Sequence, residues 1–274
     1  MNSLALTAPA LGRDLLAEIV ERQRMLAFYG LATLLLALPV LALIPLDDRT
    51  LHGVSVWMKP AKFLVSIGIF TLTAAWFYGY VRPERRRSPM MRRTAWTIVV
   101  ASALELAYIG WKASQGQDSH FNMGTPVAAL MYGLMGVAAV VLVGTTLPLA
   151  WEIARRPLPG LATDFVAAVV TGLALTFLLG GGLGGYMSSG TGHDVGAAGG
   201  HFPVFGWNRL GGDLRVAHFF GIHAEQAIPL LAFLAGGLAA RLRWAVLAGG
   251  TALYVAVTLG VFFQAVAGRP FLAF

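Results

Sequence analysis

Two carboxylates stand inside long apolar stretches of this chain, and they are its first candidates for chemistry. Glu105 and Glu225 each lie about 10 Å from the end of an apolar run, at a helical rise of about 1.5 Å per residue. Charged groups at that depth are costly and often mark proton or substrate pathways. We predict both as catalytic residues that face the bundle interior, Glu105 near Lys62 or Lys112 and Glu225 near Arg215 or a histidine. The alternative is a structural ion pair or a protonated carboxyl group.

The histidines form the second set of candidates. All six lie in or beside the loops that the arginine pattern assigns to one side, namely His52, His120, His193, His201, His218 and His223. Neutral imidazole is a common metal ligand, and histidine often holds haem iron. We predict a metal ion or a b-type haem bound by His218 together with His120, His201 or His223. Glu225 would then act in proton transfer.

The spacing of the histidines limits which of them could share an ion. His218 and His223 are about 140° apart on a regular helix, so they should not bind one ion from the same helix. We therefore expect His223 to contact another helix, in the second or third apolar run. His52 lies in a short loop and is predicted to be solvated.

Two lysines open the second apolar run, in the segment WMKPAKF. A helix N-terminus with Lys59 and Lys62 beside it attracts anions. We predict that these lysines, with Arg215 and Trp207, bind a small-molecule or lipid-like substrate. If the metal is zinc, the reaction is hydrolysis of that substrate. The alternative for the lysines is that their charged ends reach the membrane surface.

A run of glycines closes the fifth apolar stretch, in the segment LLGGGLGGYMSSG. The spacing of Gly181 and Gly185 predicts a close contact between helices. The alternative is that the run leaves room for a flat cofactor or substrate.

Composition sets the protein class that must position these residues. Of 274 residues, 57% are hydrophobic and 12% are charged, whereas soluble domains are near a quarter charged. The absence of cysteine excludes disulfides and thiolate chemistry. The net charge of +7 lies largely in short loops, so we predict membrane lipids rather than nucleic acid as partners.

Long apolar runs predict an all-α polytopic integral membrane protein, because about 20 helical residues cross a bilayer. The seven predicted spans are 25–44, 61–81, 94–111, 127–150, 165–186, 217–240 and 244–267. Residues 1–24 form a cytoplasmic amphipathic N-terminal segment, whose helical part lies on the membrane surface. Residues 25–274 form a single seven-helix membrane domain with a long outer loop at 187–216.

Basic residues predict the orientation of this domain. One set of connections contains 13 of the 20 lysines and arginines, and every connection in that set is basic. Such loops stay in the cytoplasm, so we predict a cytoplasmic N-terminus and an outer C-terminus. The membrane is predicted to be a bacterial-type cytoplasmic (inner) membrane.

The long loop at 187–216 allows two interpretations. Its aromatic side chains could anchor an outer cap at the headgroup level, or the loop could be a lid over a site.

Two functions follow from these residues. The first is a membrane-embedded metal- or haem-binding protein with redox or metal-dependent chemistry. The second is a proton-coupled transporter or channel in which Glu105, Glu225 and His223 form a relay.

Overall fold

Six helices in the computed structural model are long and apolar enough to cross a membrane, and a bent helix pair makes a seventh if it is one span. The structure describes residues 13–200, 202 and 205–272. Within them the protein is all-α apart from two short hairpins. By helix length and hydropathy it is an integral membrane protein. The chain divides into two compact units, Met1–Leu161 and Ala162–Phe274.

The first unit contains seven helices and one hairpin. They are α1 (Arg13–Arg22), α2 (Arg24–Leu43), β1 (Thr50–Leu51), β2 (Val54–Ser55), α3 (Met58–Tyr78), α4 (Pro83–Arg86), α5 (Pro89–Ser114), α6 (Pro126–Gly144) and α7 (Thr146–Arg155). Helices α2 and α3 cross closely at two glycines. A Cβ atom at Gly30 would lie 3.2 Å from the carbonyl oxygen of Gly68 and 2.9 Å from Leu72 Cγ. The absence of side chains there lets the two backbones approach.

Side-chain caps begin three of these helices. The Gln23 side chain accepts a hydrogen bond from Leu26 N at the start of α2. Ser88 does the same for α5, and Thr125 for α6. In α5 and α6 the cap precedes a proline, whose missing N–H costs nothing in the first helical turn.

Ion pairs organise the arginine-rich end of the first unit. Glu152 is 1% exposed and accepts hydrogen bonds from Arg85 and Arg156, each at 2.9 Å. The Arg22 guanidinium lies 3.8 Å from the centre of the Trp76 ring. Through these contacts α1 packs on α3, and α4 is tied to α7.

The second unit contains the remaining helices and a second hairpin. They are α8 (Thr163–Leu175), a π-helical turn (Thr176–Gly181), α9 (Gly182–Ser188), β3 (Asp194–Val195), β4 (Gly212–Asp213), α10 (Leu214–Ile222), α11 (Ala224–Leu234), a 3-10 turn (Ala235–Gly237) and α12 (Ala240–Val266). The π turn interrupts the fifth span, and a bend of 52° separates α10 from the helical segment that follows it. Single π turns in helices are frequent at functional sites.

Each predicted span corresponds to a helix or to a broken helix in the structure. The predicted regular helix of the sixth span is wrong, because His223 separates α10 from α11. Gly221 lies just before this break, and Pro229 follows within α11. Proline removes the backbone hydrogen bond to the residue four positions earlier, so it weakens the helix after the break.

Candidate functional site

The break in the sixth span lies against the π turn of the fifth. Glu225 N, in the first turn of α11, donates a 2.9 Å hydrogen bond to Thr176 Oγ1 in the π turn. Gly221 is close to the same turn, since a Cβ atom there would lie 2.7 Å from Gly180 N. Two irregular stretches of helix therefore meet, and their polar groups pair with each other.

Two consecutive polar contacts run along this break, from His223 through Gln226 to Glu225. We call these three residues the polar chain. Gln226 Nε2 donates to Glu225 Oε1 at 2.9 Å, and His223 Nδ1 lies 3.3 Å from Gln226 Oε1. Because an amide oxygen only accepts, this contact favours a proton on His223 Nδ1. The Glu225 side chain is 1% exposed.

His218 lies on the α10 side of the break and is held by a backbone contact. Its Nδ1 is 3.0 Å from the carbonyl oxygen of Gly180, which places the proton on Nδ1 and leaves Nε2 as the acceptor. The imidazole occupies the space beside Gly184, where a Cβ atom would lie 2.8 Å from His218 Cε1.

The glycine run does form a close contact with another helix. The glycines in that contact are Gly180 and Gly184, not the predicted Gly181 and Gly185. Gly180 and Gly184 face α10, whereas Gly185 has no atom within 4 Å of a built Cβ position. A Cβ atom at Gly181 would meet only Phe177, which belongs to the same π turn, and no residue of α10. A π turn contains an extra residue, so it rotates the contact face relative to a regular helix.

The first unit has its own buried polar group. Glu105 is 4% exposed, and its Oε1 has no hydrogen-bond partner among the described residues. Tyr108 lies three residues later on the same face, is 7% exposed, and its Oη is likewise unpaired in the described part of the chain. Buried polar atoms without protein partners normally bind water or a ligand.

The lysine that acts on Glu105 is not one of the two that were predicted, Lys62 and Lys112. Lys59, in the first turn of α3, acts electrostatically on Glu105. Lys112 instead donates to Gln117 Oε1 at 2.7 Å and lies 4.9 Å from the centre of the Trp111 ring, so its predicted pairing with Glu105 is wrong. Lys62 is half-buried one turn into α3.

His120 lies in the loop between α5 and α6, within the first unit. Its ring contacts Phe63 and Tyr132 at centroid distances of 5.8 and 6.0 Å, and its Nδ1 is 3.1 Å from Ser119 Oγ. Burial, and then the charge of Lys59, lower the pKa of His120 to about 3. The imidazole is therefore neutral at physiological pH.

The remaining histidines fall into different surroundings. His52 is exposed, as predicted, and its Nε2 lies 2.9 Å from Asp118 Oδ2. His223 contacts Phe219 of its own segment, with ring centroids 4.4 Å apart. His201 lies outside the described residues.

One group of three potential metal ligands occurs among the described residues, and the sequence prediction had not nominated it. His193, Asp194 and Asp213 have ligand atoms within 4.8 Å of one another. The pairing of β3 with β4 brings the two aspartates opposite each other. However, Arg215 already binds Asp213 through two nitrogens, at 2.9 and 2.6 Å, and would compete with a cation. Neither His120, His218 nor His223 belongs to such a group within the described chain.

Arg215 is held within the loop before α10. Besides Asp213 it donates to the carbonyl oxygen of Gly206, at 2.7 Å. Glu225 was predicted to lie near Arg215 or a histidine; its hydrogen-bond partner is Gln226, which in turn contacts His223.

The described aromatic residues of the loop before α10 pack within the second unit. Trp207 stacks on Phe205 at 4.5 Å and contacts Phe219 and Phe271 at 5.5 and 5.9 Å. Phe219 in turn contacts His223, so aromatic rings connect the loop to the polar chain. Trp207, predicted to bind substrate, is packed against the core of this unit.

Asn208 fixes the loop backbone beneath these rings. It is fully buried, and its amide group donates to Asp194 Oδ1 and to the carbonyl oxygen of Ala197. Its Oδ1 accepts from the backbone N–H groups of Leu210 and Gly211. The amide group of Asn208 is thus fully paired, which stabilises the backbone segments that it joins.

Comparison of the chain with family models, with curated proteins and with solved structures gives no match.

Proposed function

We propose that the protein is a proton-coupled transporter or channel, and that the polar chain of His223, Gln226 and Glu225 is its proton-handling site. One observation carries this proposal: a carboxyl group that is 1% exposed is linked through an amide to an imidazole at the break of an apolar helix. Broken spans with buried ionisable groups are typical of transport sites.

The contacts of Glu225 favour proton exchange over a structural role. No described basic side chain forms an ion pair with Glu225, in contrast to Glu152 and Asp213. An unpaired buried charge is costly, so the protonated form of the Glu225 carboxyl group is the favoured one in this position. Gln226 then acts as a positioning residue, and a proton passes between His223 and Glu225 through water when the amide moves aside.

Glu105 supports the same function from the first unit. Its Oε1 and the Oη of Tyr108 lack partners among the described residues, so we propose that water reaches them. Lys59 supplies the positive charge that stabilises the ionised form of Glu105 when its proton leaves.

The test measures proton movement in vesicles that contain the purified protein and an internal pH-sensitive dye. A potassium gradient with valinomycin drives protons inward. We expect acidification faster than in empty vesicles, and its loss in Glu225→Gln, which keeps the shape and one hydrogen-bonding oxygen of the side chain. Glu84→Gln, which changes an exposed carboxylate in α4, should behave as the unmodified protein does. Proton uptake no faster than in empty vesicles, or full activity of Glu225→Gln, would overturn the proposal.

A metal- or haem-binding protein is the second candidate, and His218 carries it. Metal-binding histidines often donate one ring N–H to a backbone carbonyl and bind with the other nitrogen, as His218 does with Gly180. Of the other nominated ligands, His223 lies in the same unit as His218, whereas His120, Lys59 and Lys62 belong to the first unit. The fit is partial, because the described histidines nominated here form no three-ligand group and the His218 ring fills the space at Gly184.

Absorbance spectra and elemental analysis of the detergent-purified protein separate the two candidates. A bound haem colours the protein, and a metal appears at near one ion per chain. In that case His218→Ala should lose the colour or the metal, and His52→Ala should retain it. A colourless and metal-free protein leaves only the first candidate.

For the setting of this site we propose a bacterial-type cytoplasmic membrane with the N-terminus in the cytoplasm. The arginine excess of one set of connections supports this orientation.

A further inference from the structure

An open groove runs between α5 and the junction of α6 with α7, within the first unit. Its volume is about 550 Å³, which is within the range of small-molecule sites, roughly 300–1,000 Å³. The walls include Met90, Arg93, Thr97, Val141, Gly144 and Pro148.

The depth of the groove places it where a span meets the membrane surface. Helix α5 begins at Pro89, so Arg93 lies one turn into the helix and Thr97 one turn further. Trp96 and Trp151 are each 56% exposed near this level, and exposed tryptophans mark the headgroup region of membrane proteins. A groove at this level faces lipid, with its polar end toward the headgroups and its apolar end toward the acyl chains.

The charge of Arg93 is available to a ligand. Arg93 is exposed, and no hydrogen bond or ion pair of its side chain occurs among the described residues. Other arginines of the same end are used internally, as Arg85 and Arg156 are by Glu152. Guanidinium groups bind phosphate oxygens through two parallel hydrogen bonds.

We infer that this groove is a binding site for an anionic phospholipid. The lipid phosphate binds the Arg93 guanidinium, and the upper part of one acyl chain lies along Val141 and Pro148. Basic pockets between membrane-spanning helices bind such headgroups in membrane proteins generally. This inference does not depend on the proposed proton transport.

Arg92 provides a matched control, because it is the adjacent arginine, is exposed, and does not line the groove. The full chain is purified in a mild detergent and mixed with equal amounts of phosphatidylglycerol and phosphatidylcholine. Native mass spectrometry then gives the ratio of the two lipid adducts. We expect Arg93→Ala to lower the preference for phosphatidylglycerol about fivefold, the contribution of one basic residue near a lipid headgroup. Arg92→Ala should leave the preference within about a factor of two of the starting value.

A second variant tests the shape of the groove separately from the charge of Arg93. Val141→Trp fills the groove with an aromatic ring and keeps Arg93, so it should reduce adducts of both lipids. Size-exclusion chromatography confirms that each variant is folded. Equal losses in Arg92→Ala and Arg93→Ala would indicate general electrostatic attraction and overturn the site. Unchanged binding in Arg93→Ala and Val141→Trp would overturn it as well, and so would displacement of the lipid by inorganic phosphate at equal concentration.

Discussion

At the scale of single residues, the charge state of His120 is the clearest consequence of the fold outside the spans. Burial, and then the charge of Lys59, lower its pKa to about 3 from an ordinary value of 6.5. The unfolded chain therefore takes up a proton below about pH 6.5, whereas the folded chain does so only near pH 3. Stability must fall as the pH decreases through this interval, because the unfolded state binds more protons there.

Replacing His120 by phenylalanine should remove this part of the acid sensitivity. Phenylalanine cannot be protonated and suits the contacts with Phe63 and Tyr132. We expect the melting temperature of His120→Phe to change less between pH 7 and pH 4.5 than that of the unmodified protein. Parallel pH profiles for the two proteins would show that His120 is not held neutral.

Glu152, unlike His120, is a buried group that carries a charge, and two arginines pair with that charge. Glu152→Gln would leave the guanidinium groups of Arg85 and Arg156 without their anion. Because these arginines are 37% and 48% exposed, solvent limits the loss, and we expect about 1–3 kcal/mol of unfolding free energy. Denaturant unfolding in detergent measures it. Glu84→Gln, in the exposed turn α4, should change stability by less than about 0.5 kcal/mol, and an equal loss in the two variants would contradict this account.

At the scale of helices, the contact between the fifth and sixth spans depends on individual glycines. A Cβ atom at Gly221 would lie 2.7 Å from Gly180 N, a backbone atom that cannot rotate away. Gly221→Ala should therefore destabilise the protein by about 1–3 kcal/mol, as overpacking of an interior does. At Gly185 the same change meets open space and should be neutral or stabilising by up to about 1 kcal/mol.

Thermal unfolding of the two alanine variants checks this contrast. Both substitutions add one methyl group to the same helix pair, so intrinsic helix preference cannot account for opposite signs. A stable Gly221→Ala variant would mean that the helices are further apart than the structure shows.

The sequence was sufficient for the positions of the helices and insufficient for their interruptions. Long apolar runs predict spans because the bilayer sets their length. The break at His223 and the π turn depend on how Gly221 meets Gly180 on another helix, which a pattern along one chain does not contain. For the same reason the predicted contact residues, Gly181 and Gly185, are each one position after the observed ones, Gly180 and Gly184.

The sequence predicted Glu105 and Glu225 as site residues from their positions inside apolar runs, and the histidines because all six lie in or beside the loops of one side. It missed Gln226, because a neutral amide carries no charge signal, although its position beside Glu225 was visible. The group of His193, Asp194 and Asp213 was also missed as a ligand set, since its members meet only through the pairing of β3 with β4, which are separated by the 16 residues 196–211.

At the scale of the whole molecule, the arginine pattern predicts the orientation of the protein in the membrane. The basic connections predict that reporter fusions at Arg87 and at Phe274 lie on opposite sides of the membrane. Phe274 lies outside the described residues, so the experiment addresses the sequence prediction itself. A phosphatase that is active only outside and a fluorescent protein that folds only inside give complementary signals. Equal signals at both positions would exclude an odd number of spans and remove the argument that all histidines lie on one side.

The ion pairs at the arginine-rich ends of the helices have a consequence for how the protein is made. Arg22, Arg85, Arg156 and Arg243 contribute to the charge excess, and each also binds a carboxylate in the folded chain. In the proposed orientation these arginines would direct the nascent chain before their partners neutralise them, because acidic residues contribute little to orientation during insertion. The same charge then serves twice, first at the insertion machinery and later within the finished protein. Replacing one of these arginines would therefore disturb biogenesis and stability together, whereas replacing its carboxylate partner would disturb stability alone.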